Sequence, residues 1–579
     1  MTRPVRIANV SGFYGDRFDA MQEMLAGPDP IDVLTGDYLA ELTMFILWKV
    51  RERDPRAGYA ATFLRQMEGA LGPCLERGIR VVTNAGGLNP QGLAEALTEL
   101  AGRLGLSPKI AYVEGDDVLP ILPDLLRSGH SLSHLDTGQP LEGAGITPVT
   151  ANTYLGGFGI AEALRSGADI VVTPRVTDAA LVVGPAAWWH DWTPDDLDCL
   201  AGAVVAGHVI ECGPQATGGN YCFADEEIPG LELPGFPIAE VGEDGDVTIT
   251  KQPGTGGAVT IGTVTAQLLY EIGEPSYANP DVIARFDAIE LTQAGPDRVS
   301  ISNNKGLAPS GRLKVAINYP AGWRNSMSLV LTGLDQDAKA ERAIVQLGRL
   351  LGGWDTFTSV DIRRVNSEVR ITVQDPDRNK VGRRFSNAVT ELALSSYAGA
   401  HTTTPPGDAR QYAIYWPTLI PAAAVEHAVI LPDGSRRVIA HADPPATIDR
   451  PAGAAAPRRT IIGSEPTCSA PLGRICGGRS GDKGGNANIG LWTRTQEHYD
   501  WLVGELTTQR LQTLLPETAD LAVERYELPN LQALNFVIVG LLGAGVAAAV
   551  RPDPQAKGLA EELRAQYLEM PIRFLDRPD

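Results

Sequence analysis

The sequence predicts an α/β protein with a mostly parallel N-terminal sheet flanked by helices, an α+β middle region and a small C-terminal α+β domain. Three observations carry this. Short β-branched runs alternate with helical stretches four times in the first 120 residues, the pattern of a parallel sheet with crossover helices. From about residue 229 the alternation gives way to short strands between turn signals. A proline-rich stretch then sets the chain's last part aside.

The elements follow in order. Residues 5–11 read as the first strand, Gly12 to Arg17 as its exit turn and 18–25 as a helix. A second strand at 31–36 ends in glycine and leads into a long helix over 37–54. Residues 79–87 give a third strand with a glycine-rich exit, before an amphipathic helix over 90–105. The fourth strand and an acidic turn occupy 109–117. A helix at 157–168 and a strand with loop at 169–178 continue the alternation, and 203–211 reads as helical or mixed. In the middle region 246–250, 258–269, 313–319 and 369–374 read as strands. Proline density disfavours helix and central strand, so 446–470 is expected to link a core domain over 1–445 to a small domain over 471–579. There, strands at 487–493, 520–527 and 533–542 with helices at 495–506 and 555–570 make a compact, ferredoxin-like α+β unit.

Composition bounds the function. A chain of 579 residues with 44% hydrophobic content has apolar surface for more than one core. Its net charge of −21, from 49 basic and 70 acidic residues, repels phosphate backbones and anionic lipid. Nucleic acid and membrane are therefore not expected partners. Six scattered cysteines show no CxxC spacing and no disulfide framework. With no apolar leader at the start, the expectation is a soluble protein of the reducing cytoplasm. The longest apolar run, 536–550, is 15 residues and glycine-interrupted, short of the ~20 that span a bilayer. It reads as core strand and helix, or as an interface between copies of the chain in a homo-oligomer.

Glycine turns between strand and helix are natural anion sites, because backbone N–H groups approach the ligand there. Three qualify: Gly12 to Arg17 (with Tyr14, Gly15 and Asp16), Gly36-Asp37, and Asn84 to Gly87 (with Gly86). The runs 156–159 and 254–257 are further candidates. Each is equally a tight turn with no ligand. None is a dinucleotide or P-loop fingerprint, so NAD and nucleoside triphosphates are not supported.

The densest chemistry lies at 207–221. His208, Glu211 and Cys212 fall within five residues and precede Gly218, Gly219 and Asn220. His208 and Cys212 stand at i, i+4, which on a helix would share one face. A nucleophilic or acid–base cysteine is one reading, a buried structural cysteine the other. Arg175 and Asp178 follow a β-run. The arginine forks onto a ligand carboxylate or phosphate, or pairs internally with Asp178. His130 and His134 read as surface histidines. In 479–491, Ser480, Asp482, Lys483 and Asn486 stand among glycines. That loop either grips an anion through Lys483 and backbone N–H groups or fixes the two domains together. No metal-ligand pattern is present.

Taken together, GFYGDR (12–17), TGDYLAE (35–41), NAGGLNP (84–90), YLGGFGIAEAL (154–164), VVTPRVTDAAL (171–181), GHVIECGPQATGGN (207–220) and RSGDKGGNANIGL (479–491) resemble the acyclic terpene utilisation family over nearly the whole chain. PNLQALNFVIVGLLGAGV (529–546) fits its small C-terminal domain. The resemblance implies a cytoplasmic bacterial protein in the breakdown of citronellol- and geraniol-type acids carried as CoA thioesters. It implies a C–C lyase acting on a 3-hydroxy-3-alkylglutaryl thioester, with a hydratase step or a non-catalytic acyl-CoA-binding subunit as alternatives. On that reading Cys212, His208, Glu211 and Asp178 move protons. Arg175 or Arg17 holds a free carboxylate, and the glycine turns stabilise an enolate. No cofactor beyond the substrate's own CoA is expected, and a divalent metal stays open.

Overall fold

The computed structural model describes residues 2–442 and 465–575. Among them, eleven strands build one mixed sheet. Its centre is the five strands Val5–Asn9, Val33–Gly36, Arg80–Thr83, Ile170–Val172 and Ile110–Glu114, hydrogen-bonded in that spatial order and all parallel. These are short apolar runs because both faces are covered. Val5, Ile7, Val33, Val82 and Val171 face one core, and Ala8, Leu34, Val81, Ile170 and Val172 face the other. The helices Phe158–Arg165, Ala180–Trp189 and Leu197–Ile210 fill the first core; Ala20–Ala26, Ala61–Arg77 and Pro90–Leu104 fill the second. The expected parallel sheet is therefore present. It is extended on both sides by antiparallel strands, Pro237–Val241 pairing with the first strand and Ala428–Ile430 with Ile110–Glu114.

The middle region adds a second, antiparallel sheet around the 19-residue strand Arg312–Val330. This strand pairs with Glu368–Asp375, with Arg410–Pro421 and with Thr150–Thr153. A register shift between Pro320 and Gly322 divides it into two halves. The C-terminal unit is a four-stranded antiparallel sheet in the order Cys476–Lys483, Asn486–Thr493, Ala533–Ile538, Val523–Leu528, with the helices Gln496–Glu505 and Leu559–Arg564 packed into its own core.

Several expectations change. Residues 258–269 are not a strand but carry the helix Ile261–Leu268. The Thr260 side chain accepts from the Thr263 N–H while the Thr263 hydroxyl accepts from the Thr260 N–H, and this reciprocal cap overrides the β-branched composition. The helix expected over 555–570 is only Leu559–Arg564, and Tyr567–Pro571 after it is a strand. Of the expected linker, residues 446–464 lie outside the described residues, whereas Thr467–Pro471 pairs with Tyr567–Pro571 as a strand. The apolar run at 536–550 continues the buried strand Ala533–Ile538 and then passes into turns, not a helix. No helix among the described residues is long and apolar enough to cross a membrane.

Candidate functional site

Polar residues collect where the parallel strands end, the crevice in which open α/β sheets bind their ligands. Asp37 follows the second strand. Its N–H donates to the Ser11 carbonyl at 2.9 Å, and its carboxylate accepts from Asn84 Nδ2 at 2.6 Å. The amide oxygen of Asn84 accepts in turn from the Tyr38 N–H at 2.7 Å. Arg175, 3% exposed, follows the strand Ile170–Val172. Its Nη1 donates to Asp178 and to the Leu39 carbonyl, both at 2.9 Å, and its guanidinium lies 4.2 Å from the centre of the Tyr154 ring. Its Nε has no partner.

The helix Leu197–Ile210 brings in His208, with Glu211 just past its end. His208 sits among the rings of Tyr277 and Phe286, at 5.0 and 5.4 Å, with Nδ1 3.4 Å from Glu211 Oε1. From the other side comes the C-terminal domain. Lys483, last residue of the strand Cys476–Lys483, donates from Nζ to the Glu271 carbonyl at 3.1 Å. Two asparagines fasten this edge. Asn488 accepts from the Glu271 N–H at 3.0 Å and donates to the Leu269 carbonyl at 2.7 Å. Asn535 accepts from Asn488 and donates to the carbonyls of Ile272 and Gly273. The turn at 269–273 is thus strapped to the small domain. Lys314, on the long strand, lies 3.5 Å from Glu41 and within 6 Å of the Tyr154 and Tyr415 rings.

These groups form one electrostatic unit, since Asp178, Glu271, Arg175 and Lys483 all act on Glu211. Desolvation first, and then neighbouring carboxylates, push Asp37, Glu211 and Asp482 well above the ordinary carboxylate range. Desolvation also raises Glu271. Lys483 is drawn down to about 8, by desolvation and then by the charge of Lys314. Carboxyl groups raised above their ordinary range beside an amine drawn down to about 8 suit proton transfer. Glu271, Asp482 and Lys483 are half-buried.

The sequence-predicted residues divide. Glu211, His208, Asp178, Arg175, Asp482 and Lys483 converge. Cys212 is a correction: the helix ends at Ile210, so the i, i+4 face shared with His208 does not form. Its thiol is pushed well above its ordinary value by desolvation and then by Glu211 and Glu271, the reverse of nucleophile activation. His208 is 1% exposed, pulled down to about 4 by burial, and both its ring nitrogens lack hydrogen-bond partners.

The glycine turns are mostly filled by the protein itself. In the first, the Asp16 carboxylate accepts from the N–H groups of Gly12 and Arg17, both at 2.7 Å. Arg17 pairs with Asp19 at 3.0 Å and with Glu23, which uses its charge internally. Tyr14 packs half-buried beside Leu39, Met44 and Leu47, while Gly15 is exposed. Gly86 and Gly87 are closed in by the Thr173 carbonyl and Leu47, so that turn serves packing. At the run 156–159, the Asp281 carboxylate accepts from the Gly157 N–H at 2.8 Å, standing where an external anion would. Gly218 packs on Ile228 and Gly219 on Pro214, while Asn220 offers its carbonyl to Arg479 Nη1 at 3.2 Å. Ser480 bonds within the small domain, donating to the Lys557 carbonyl and accepting from the Ala560 N–H. Asn486 donates to Asp136 at 2.8 Å, a further bond between the domains. Residues 479–491 are two paired strands rather than a loop; their asparagines hold the domains together, and Lys483 donates to the Glu271 carbonyl. His134 is not on the surface but 8% exposed, edge-on to Trp416.

Sequence reasoning missed Glu41, Tyr154, Glu271, Lys314 and Tyr415. Asp37 alone among the unassigned carboxylates had a signal, its place at a strand's glycine exit. Among the described residues no group of three His, Cys, Asp or Glu side chains is arranged to hold a metal ion.

Fold and site together define an open α/β protein whose strand-end crevice is closed by a second, antiparallel domain. The acyclic terpene utilisation family protein AtuA matches residues 5–431, and the AtuA ferredoxin-like domain matches 470–569. The chain belongs to this family. No curated protein and no solved structure matches it.

Proposed function

We propose that this protein is an enzyme of terpenoid or branched-chain acid breakdown that cleaves a C–C bond in a CoA thioester of the 3-hydroxy-3-alkylglutaryl type. Family membership supports the pathway. The observation that carries the chemistry is the meeting of Lys483, from the small domain, with Glu271 and Glu211 of the large one.

Cleavage needs a base on the tertiary hydroxyl and a positive group beside the developing enolate. Glu211 or Glu271, as carboxylate, takes the hydroxyl proton. The oxygen's electron pair becomes the ketone carbonyl, the adjacent C–C bond breaks, and its pair passes into the departing arm as an enolate. The Lys483 ammonium stabilises the enolate oxygen. The proton held by the glutamate then returns to the enolate carbon, leaving the site as it began. Arg175, with Nε free, suits a second carboxylate on the substrate. Cys212 has no part in this scheme.

Mass spectrometry after incubation with a panel of 3-hydroxy-3-alkylglutaryl and 3-alkylglutaconyl thioesters, with and without magnesium, tests it. Two product fragments support the lyase. A gain of water on the unsaturated thioesters assigns a hydratase instead, and binding without any product assigns an acyl-CoA-binding subunit.

A further inference from the structure

A cavity of about 320 Å³ opens beside the acid–base centre, not within it. One wall is the polar face of the second sheet and the other is the loop 541–551 of the small domain. The two walls touch where Gln374 Nε2 and Arg324 Nη1 donate to the carbonyls of Ala548 and Ala549, each at 3.1 Å.

Arginine dominates this face. Arg324 stands directly opposite Arg410 on the neighbouring strand, and Arg363 opposite Arg370 on the next pair. Arg363 is paired with Asp361 at 2.7 Å, but among the described residues Arg324, Arg370 and Arg410 have no acidic partner. Arg324 is instead drawn down by desolvation and then by Arg370 and Arg410. From the loop side Arg551 lines the cavity. It is 8% exposed and bonded to Glu517 through Nη2, while its buried Nε and Nη1 have no partner. Of these five arginines Arg363 and Arg551 line the cavity, and Arg324, Arg370 and Arg410 stand on the same sheet. A buried guanidinium with two idle donors is costly unless an acceptor arrives.

We infer that this cavity binds the phosphate-bearing end of a nucleoside-type ligand. Guanidinium forks match phosphate oxygens in pairs, and Tyr412, Ile414 and Leu542 supply an aromatic and apolar wall for a base. The volume falls within the range of small-molecule sites, roughly 300–1,000 Å³. The place is apt as well. Leu542, on the cavity wall, donates its N–H to the Gly485 carbonyl at 2.9 Å, so the cavity adjoins the turn that follows Lys483. That the molecule is the CoA of the substrate rests on the thioester reading; that a phosphorylated nucleoside binds here does not.

Isothermal titration with adenosine 3′,5′-bisphosphate, free CoA and inorganic phosphate tests it. The full chain is compared with R324Q/R370Q and, because Arg324 touches the loop, with the pair R363Q/R410Q, of which Arg363 lines the cavity, folding being checked by thermal melts. We expect saturable, salt-sensitive binding of the bisphosphate and of CoA, weakened about tenfold or more in each folded double variant. No saturable binding of either, the same Kd in both variants, or inorganic phosphate bound as tightly as the bisphosphate would overturn the inference. Bisphosphate binding without thioester turnover supports it while sinking the lyase reading. Turnover with an unchanged KM in variants that no longer bind the bisphosphate supports the phosphate site but overturns its assignment to the substrate's CoA.

Discussion

Lys483 and Glu271 stand 212 positions apart, and the amine of one donates to the main-chain carbonyl of the other at 3.1 Å. Each domain therefore supplies part of the polar centre. Replacing Lys483 with methionine keeps the side chain's length and removes its charge. Turnover of the thioester should fall about 100- to 10,000-fold, with KM little changed. The sign of the pH dependence follows from the role. Lys483, drawn down to about 8, is charged below that pH and neutral above it. If its ammonium stabilises the enolate, kcat declines as pH rises through about 8. Arginine at 483 stays charged, so in K483R that alkaline limb should disappear at whatever activity remains. A limb that rises through 8 would make Lys483 the base instead.

Asn488 sets the geometry of that meeting. Glu271 has a positive φ of 56°, uncommon for a residue with a side chain, and its N–H is held by Asn488. Asn488→Ala leaves the Glu271 N–H, the Leu269 carbonyl and the Asn535 amide short of a partner. Each buried group left unsatisfied costs about 1–3 kcal/mol. Urea melts should show a loss of that order, and kcat should drop further than the lost stability explains. Full activity in a folded N488A protein would mean that the strap does not position Glu271.

How much of this was legible in the sequence depends on what holds each residue. Asp37, Arg175, Asp482 and Lys483 lie in strand exits or glycine-flanked loops, where local pattern marks a site. Glu271 has no such mark, because its position is imposed by Asn488 and Asn535 from a distant domain. Lys314 and Tyr415 lie within long strands, and only the pairing of those strands turns them to the crevice. In the fold, the apolar runs of the parallel strands were readable. The helices Ala180–Trp189 and Leu197–Ile210 were harder, since sheet and neighbouring helices bury them on nearly every side and no polar stripe betrays a helical period.

Gly12 shows why a glycine turn need not be an anion site. A Cβ at Gly12 would lie 2.8 Å from the Cys212 carbonyl carbon and 2.9 Å from its Cα. Both are backbone atoms, which cannot rotate aside. Asn9 holds the same segment, donating to the carbonyls of Ile210 and Glu211 at 2.7 and 2.9 Å. Gly12→Ala should displace Glu211 and lower both melting temperature and kcat, with a cost of about 1–3 kcal/mol typical of forced overpacking. Wild-type stability and turnover in G12A would show that the contact yields freely.

Cys212 gives the complementary case. Its raised thiol should react slowly with iodoacetamide at neutral pH, and Cys212→Ala should keep turnover within about threefold. A loss as large as that of K483M would restore the thiol to the chemistry and refute the scheme built on Glu211 and Glu271.

Asp116 lies under the same crevice and should govern part of the protein's pH stability. It is 5% exposed, accepts from Asn152 at 2.7 Å and from the Arg175 N–H at 3.2 Å, and burial raises it from 3.8 to about 7. Between pH 4 and 7 the folded protein thus holds a proton that the unfolded chain has released, so this group's contribution falls as pH rises through that window. Asp116→Asn removes the titration while keeping the shape. The two proteins should have similar pH slopes below pH 4, and the variant should gain relative stability steadily to pH 7 and hold it above. A shift of about three units sets a ceiling on the order of 4 kcal/mol for that gain. His208 and His427, lowered by burial to about 4 and about 3, act oppositely, withdrawing stability as pH falls below 6.5. They are present in both proteins, so the difference between the two denaturation curves isolates Asp116. A difference that does not change between pH 4 and 8 would mean that the carboxylate is ionised in the folded protein throughout.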